Sequence, residues 1–331
     1  MIERVFTATI NYDHPQRGMH HAFDALFPRT QHFDFLEMER QGANPNGITE
    51  RFVEEVCAFQ PDWLWLQAQN NGIIQSTGLL QIQKRVPHCV LSHWMGDCRA
   101  TVSDYLSSIC RATHLSFIAA AGQSELFKSA GAPEVHYLQI GIDWHEDYLE
   151  ERGWVPPFRV PRVVMIGNHY GAAFPGTPQR EAAMLALRDA GFDYGIVGSG
   201  WPSQFNKVGV CHVKDQVAVW QRADVGVSIS HFNDIPLYYS DRQLISMLSG
   251  TPIVCRRVPW LEKEFQDGEH CVFFDDPGEL VRSVLWLLEH PEERRRIGDA
   301  GRAEILRNHT WFARLLQVLP IIERVQRQLA Q

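Results

Sequence analysis

Short apolar runs alternate with amphipathic stretches along all 331 residues, and this alternation constrains the fold more than any other feature. The runs at 5–11, 33–38, 63–67, 89–94 and 115–120 read as strands. Asp13, Pro15 and Gly18 mark the first turn, and 20–27, 48–59 and 123–130 have helical spacing. Strands interleaved with helices of that length build βαβ units, hence a parallel sheet buried on both faces. Residues 150–162, EERGWVPPFRVPR, interrupt the pattern. Proline has a fixed φ and no N–H, so the segment reads as a linker between domains. The alternation then restarts, with strands at 162–166, 192–197, 224–229, 252–255 and 271–274. Helices are expected at 178–190, 214–222, 240–249, 277–289 and 291–309, and a long amphipathic one at 310–331. The expected fold class is α/β, with two Rossmann-like doubly wound domains, 1–155 and 156–310, facing a cleft. Ligands of such sheets sit at the carboxyl ends of the strands.

Composition narrows the functional classes. Apolar residues at 45% and charged residues at 21% are ordinary globular usage, and no apolar run is long enough to span a bilayer. The opening MIERVFTATINYDHP lacks the basic, long apolar and small-residue regions of a secretory signal, so a cytoplasmic location is expected. A net charge of -8 argues against affinity built on broad phosphate neutralisation, which disfavours nucleic acid as a partner. The seven cysteines form no CxxC pair and read as reduced, buried thiols. His88, Cys89, His93 and Cys98 lie close in sequence but match no zinc spacing. Neither a metal nor a cofactor is expected.

The most informative stretch is 240–314. An Arg precedes a helix that ends in Ser249-Gly250-Thr251-Pro252. Val258-Pro259-Trp260-Leu261-Glu262, Gly268-Glu269, Phe273-Phe274-Asp275-Asp276, Pro291-Glu292-Glu293-Arg294 and His309-Thr310-Trp311 follow in order. This series resembles the donor-binding half of GT-B glycosyltransferases, in particular the CgeB-like branch of the group-1 transferases. Gly167-Asn168-His169-Tyr170, Phe174-Pro175 and Arg180 look like the first strand–loop–helix of that domain. Pro61-Asp62-Trp63, residues 94–99 (WMGDCR) and residues 137–143 (YLQIGID) look like pieces of the acceptor-side domain. The resemblance implies transfer of a sugar from a nucleotide-diphosphate donor, such as a UDP-sugar, to an acceptor hydroxyl. It also implies that the helix at 311–331 packs back on the first domain. One departure stands out. Many group-1 transferases carry a ribose-gripping Glu five residues before the helix-closing Gly, and an earlier Glu in the same motif. Here those positions are Ile245 and Leu237, both apolar. The donor nucleotide and the retaining or inverting outcome therefore stay open.

Breaking the bond between an anomeric carbon and a diphosphate leaves negative charge that must be stabilised. No Asp lies two residues from another, so the D-x-D metal clamp is absent. A metal-independent solution is expected: Ser240 caps a helix whose first-turn N–H groups face an anion, and Arg242, beside Asp241, forks onto phosphate oxygens. Gly167, Asn168, His169 and Arg180 are expected to reach the donor. Gly198 and Gly200 are read as letting a nucleobase approach backbone, with Trp201 and Tyr239 (and its neighbour Tyr238) as stacking or core residues. On the acceptor side Asp97, or His20 with an unperturbed pKa, is the expected general base. Asp275-Asp276 before Pro277 reads as a helix cap rather than a clamp. Two alternatives remain: a nucleotide-sugar 2-epimerase on the same fold, and a non-catalytic nucleotide-sugar-binding protein. The acceptor, whether glycan, small molecule or modified base in phage-type DNA, is not readable.

Overall fold

The computed structural model describes residues 1–10, 17–69, 71–142 and 154–331. They form two compact units: Met1–Gly141 with Trp311–Gln331, and Ile142–Thr310. Asn11, Asp13 and Pro15 of the first strand and turn, Asp143 of the acceptor-side motif, and 150–153 of the expected linker lie outside the described residues.

In the first unit the chain runs β1 (Arg4–Ala8), α1 (Arg17–Leu26), β2 (Arg29–Phe33), α2 (Phe35–Arg40), α3 (Pro45–Phe59), β3 (Trp63–Leu66), α4 (Ser76–Arg85), β4 (Val90–Met95), α5 (Asp104–Arg111), β5 (Leu115–Ile118), α6 (Ser124–Ser129) and β6 (Val135–Tyr137). All strand pairs are parallel, in the order β2-β1-β3-β4-β5-β6. Buried runs such as Trp63-Leu64-Trp65-Leu66 have no polar face, as a doubly covered strand requires. The strand expected at 33–38 is corrected. β2 ends at Phe33, and Asp34 caps α2 by accepting from the Glu37 N–H at 2.9 Å. A capping Asp between two phenylalanines imitates the period of a strand.

The second unit runs β7 (Val163–Ile166), α7 (Thr177–Asp189), β8 (Tyr194–Val197), β9 (Lys207–Gly209), α8 (Gln216–Trp220), β10 (Val225–Ser228), α9 (Asp241–Leu248), β11 (Ile253–Arg256), β12 (Val272–Phe274), α10 (Pro277–Glu289) and α11 (Pro291–Asn308). Its parallel order is β12-β11-β10-β7-β8-β9. Strand order reverses between β7 and β10, so the crevice outside their carboxyl ends is the place where such a sheet binds ligands. Asp276 caps α10, accepting from Glu279 N–H at 2.9 Å, with Pro277 in the first turn.

The last helix, α12 (Trp311–Leu329), belongs to the first unit. Trp311, Leu315, Val318, Ile322 and Val325 pack with Phe23, Trp63, Trp65 and Trp94 in one core. Among the described residues no helix is long and apolar enough to cross a membrane.

Candidate functional site

At the β7/β10 switch point the loop after β7 meets the loop after β10. Arg180, in the first turns of α7, joins them. Its Nε and Nη2 donate to the Ile229 carbonyl at 2.9 and 2.7 Å, and its Nη1 donates to the Asn168 carbonyl and to His231 Nε2, each at 3.0 Å. The side chain is 1% exposed, and no carboxylate pairs with it among the described residues. Burial, with Arg242 nearby, lowers its pKa to about 9. Gly167 faces both guanidiniums: a Cβ there would sit 3.6 Å from Arg242 Nε and 3.7 Å from Arg180 Nη1. Two cations thus stand close together beside a residue without a side chain. The one ion pair of Arg242 among the described residues is with Asp241, at 3.8 Å, and a quarter of its side chain is exposed. Like charges so placed repel unless an anion joins them. Arg180, expected to reach the donor, is buried, and its guanidinium donates to two backbone carbonyls and to His231.

Ser240 does occupy the N-cap position of α9, but its side chain makes no cap hydrogen bond. Asp241 Oδ1 instead accepts from the Arg242 N–H at 2.9 Å, and the Ser240 carbonyl accepts from the Gln243 N–H at 3.0 Å. Leu244, Ile245, Met247 and Leu248 anchor the helix in the core, and Gly250, with φ +80°, ends it. Ile245 is fully buried and Leu237 nearly so, so neither position offers a polar grip on a ribose.

Gly198 and Gly200 are also reassigned. A Cβ on either would collide with the Gly167 or His169 carbonyl, so the glycines permit loop-on-loop contact rather than approach of a base. His169 N–H donates to the Ser199 carbonyl at 2.9 Å. Asn168 Oδ1 accepts from Ser199 N–H at 2.8 Å and from its hydroxyl at 3.1 Å. His169 Nε2 meets Glu181 Oε1 at 2.8 Å. Trp201, 3% exposed, donates its indole N–H to the Gly167 carbonyl at 2.8 Å. Tyr239, 2% exposed, has its hydroxyl 3.1 Å from Glu264 Oε2. Both rings are core, not stacking platforms. These residues shape the crevice by fixing the β7 and β8 loops.

In the first unit Asp97 follows β4 with its carboxylate exposed, Oδ2 lying 3.3 Å from Arg99 Nη2. His20, in α1, has Nε2 2.8 Å from the Thr9 hydroxyl and stacks on His32 at 4.0 Å. Burial, helped by His32, lowers its pKa to about 4. The unperturbed value expected of it is therefore corrected, and at neutral pH it is a weak base.

Sequence reasoning missed His231 and Asn233, on the loop after β10. No motif announces them; the fold brings His231 to Arg180, while Asn233 donates to the Gln179 side-chain carbonyl and the Ser230 carbonyl. A second cluster links Glu264, Glu304 and the buried His309, whose Nδ1 and Nε2 lie 3.4 Å from Glu264 Oε2 and Glu304 Oε1 respectively. His309 and Asn308 hold the Glu304 carboxyl down to about 2. A depressed carboxyl contributes stability above its ordinary value near 4.5 and loses it as pH falls through about 2. Glu304→Gln should therefore cost on the order of 2–3 kcal/mol at pH 7, with the difference closing between pH 4.5 and 2. Urea unfolding at pH 7 and at pH 3 checks this.

Comparison with known proteins agrees with this geometry. A sequence profile of the family described as glycosyl transferase-like matches residues 180–320. Trehalose synthase of Pyrococcus horikoshii is 28% identical over 122 residues. That stretch is 37% of this chain and 27% of the trehalose synthase. Anabaena HepE, solved in complex with UDP, aligns over 98% of this chain and 100% of its own, with a TM-score of 0.60 at 11% identity. A glycosyltransferase from Rickettsia africae aligns over 98% of each chain, with a TM-score of 0.65 at 10% identity. The fold is thus GT-B, two Rossmann-like units with parallel sheets. Residues 180–320 thus carry the glycosyl transferase-like match, and the described chain shares its fold with these solved structures.

Proposed function

We propose that the protein transfers a sugar from a nucleoside-diphosphate donor to an acceptor hydroxyl, and does so without a metal. The observation that carries this is the guanidinium pair, Arg180 and Arg242, beside Gly167 at the switch point of the second sheet. As the bond between the anomeric carbon and the diphosphate oxygen breaks, the leaving diphosphate gains charge. Arg242 supplies a fork of N–H donors to it. The amino end of α9 adds the positive end of its dipole. Arg180 contributes a fixed, desolvated positive charge, which acts strongly at low dielectric. Gly167, Asn168, His169, Gly198, Gly200 and Trp201 hold the crevice in shape; Tyr239, Ser240 and Asp241 set the start of α9. For the acceptor, Asp97 is the better base of the two candidates, since its carboxylate is exposed and His20 is only weakly basic.

HepE has been solved with UDP and with UDP-glucose, which makes uridine nucleotides the first donors to try. The test is release of nucleoside diphosphate from UDP-glucose and related donors, with and without glycan, small-molecule and hydroxymethylated-DNA acceptors. Release should depend on an acceptor and should persist in excess EDTA. Loss of turnover in EDTA, restored by a divalent ion, would remove the metal-free reading. Isomerised donor without acceptor would indicate the epimerase, and binding without turnover a non-catalytic protein.

A further inference from the structure

His231 is not accounted for by its place in the core. It lies three residues past the end of β10 and is 8% exposed. Its Nε2 sits 3.0 Å from Arg180 Nη1. An arginine has only donors to offer, so Nε2 must accept and the ring proton must reside on Nδ1. That Nδ1 is buried and has no hydrogen-bond partner among the described residues. The ring is held in place, its centroid 4.5 Å from that of Phe174 and 5.3 Å from that of Tyr170. Turning it over would take the acceptor away from Arg180. Burial, then Arg180 and Arg242, lowers its pKa to about 3, so it is neutral in the working range. A buried N–H donor with no acceptor is costly and is seldom retained without a use. The surroundings of this one are cationic, which favours an anionic acceptor.

We infer that His231 is a ligand-binding residue of the donor site, its Nδ1–H donating to a phosphate oxygen of the bound nucleoside diphosphate while Nε2 stays on Arg180. This rests on the proposed donor site. It adds an uncharged donor of fixed direction to a pair of charged ones. A third cation would deepen the mutual repulsion of Arg180 and Arg242 in the empty site; a neutral imidazole does not.

The two ring nitrogens do different work, and two amides separate them. Asparagine places its amide near Nδ1, and glutamine places its amide near Nε2. Calorimetric titration with UDP, and with ADP, GDP and dTDP in parallel, should show His231→Phe binding its best nucleotide about tenfold to a hundredfold more weakly than wild type. His231→Asn should recover most of that loss, and His231→Gln little of it. If His231 merely positions Arg180, the order reverses, with Gln recovering and Asn not, and the inference is overturned. It is overturned as well if all three variants bind like wild type. Should the Phe variant fail to fold, the Asn and Gln pair decides alone. Arg242→Ala measured alongside separates the two readings. Weak binding there, with His231 variants unchanged, leaves the donor site standing and removes His231 from it. Absence of nucleotide binding by the wild type removes both.

Discussion

Arg242→Ala should lower kcat/KM by about a hundredfold to a thousandfold, the usual cost of removing one donor that meets charge developing in the transition state. The melting temperature should stay within about 2 °C of wild type, because a partly exposed side chain away from the core contributes little to stability. The reasons are local. Arg242 sits in the first turn of α9 with a quarter of its side chain exposed, and its ion pair with Asp241 is long, at 3.8 Å. Residues 244, 245, 247 and 248 anchor that helix, not residue 242. The loss should appear in nucleotide affinity and in kcat together, since leaving-group charge grows toward the transition state. Arg242→Lys should recover only part, because an ammonium cannot make the two parallel bonds of a guanidinium. Steady-state kinetics on the best donor, paired with thermal melts, give the answer. An Ala variant with unchanged kcat/KM would place the diphosphate elsewhere.

Both sheets were legible because buried parallel strands must be apolar on both faces, and Trp63-Leu64-Trp65-Leu66 or Val163-Val164-Met165-Ile166 leave no other reading. Two of the short edge strands were not. Val135–Tyr137 and Lys207–Gly209 are three residues each and carry no apolar run. In the candidate site, Gly167, Arg180 and Arg242 were nameable from their places after a strand and at the starts of helices, and the fold brings those three together. What each does was not nameable. Arg180 reads from the sequence as a donor contact, and its bracing of two loops is hidden because its acceptors, the carbonyls of Ile229 and Asn168, are backbone groups 49 and 12 residues away. Backbone acceptors leave no mark on side-chain composition. Gly198 and Gly200 looked like space for a ligand, and the space belongs to another loop. His20 looked titratable until burial and His32 were seen around it. His231 was invisible because its significance is a tautomer, fixed by a contact 51 residues distant.

Arg180 should give the opposite result from Arg242, although both are arginines beside the same glycine. Arg180→Met removes the donor shared by the Ile229 carbonyl, the Asn168 carbonyl and His231 Nε2, and leaves the first and last without it in a buried place and the Asn168 carbonyl in a part-buried one. Each buried acceptor so abandoned costs about 1–3 kcal/mol, so the second unit should lose on the order of 3–6 kcal/mol. For a unit of this size that lowers the melting temperature by roughly 10–20 °C. Removing the charge relieves its repulsion with Arg242, which offsets part of the loss without cancelling it. Arg180→Lys keeps the cation but not the planar fork that spans two loops, and should regain less than half. Hydrogen exchange locates the damage: amides of residues 167–169 and 176–180 should exchange faster in Arg180→Met, while those of β1 and β3 in the first unit keep wild-type protection. Activity will fall in this variant too, but through the shape of the crevice, so lowering the temperature should restore part of it. The Arg242 loss should not respond to temperature in that way. If Arg180→Met melts with wild type and fails only in catalysis, the assignment of Arg180 to the scaffold and Arg242 to the anion must be exchanged.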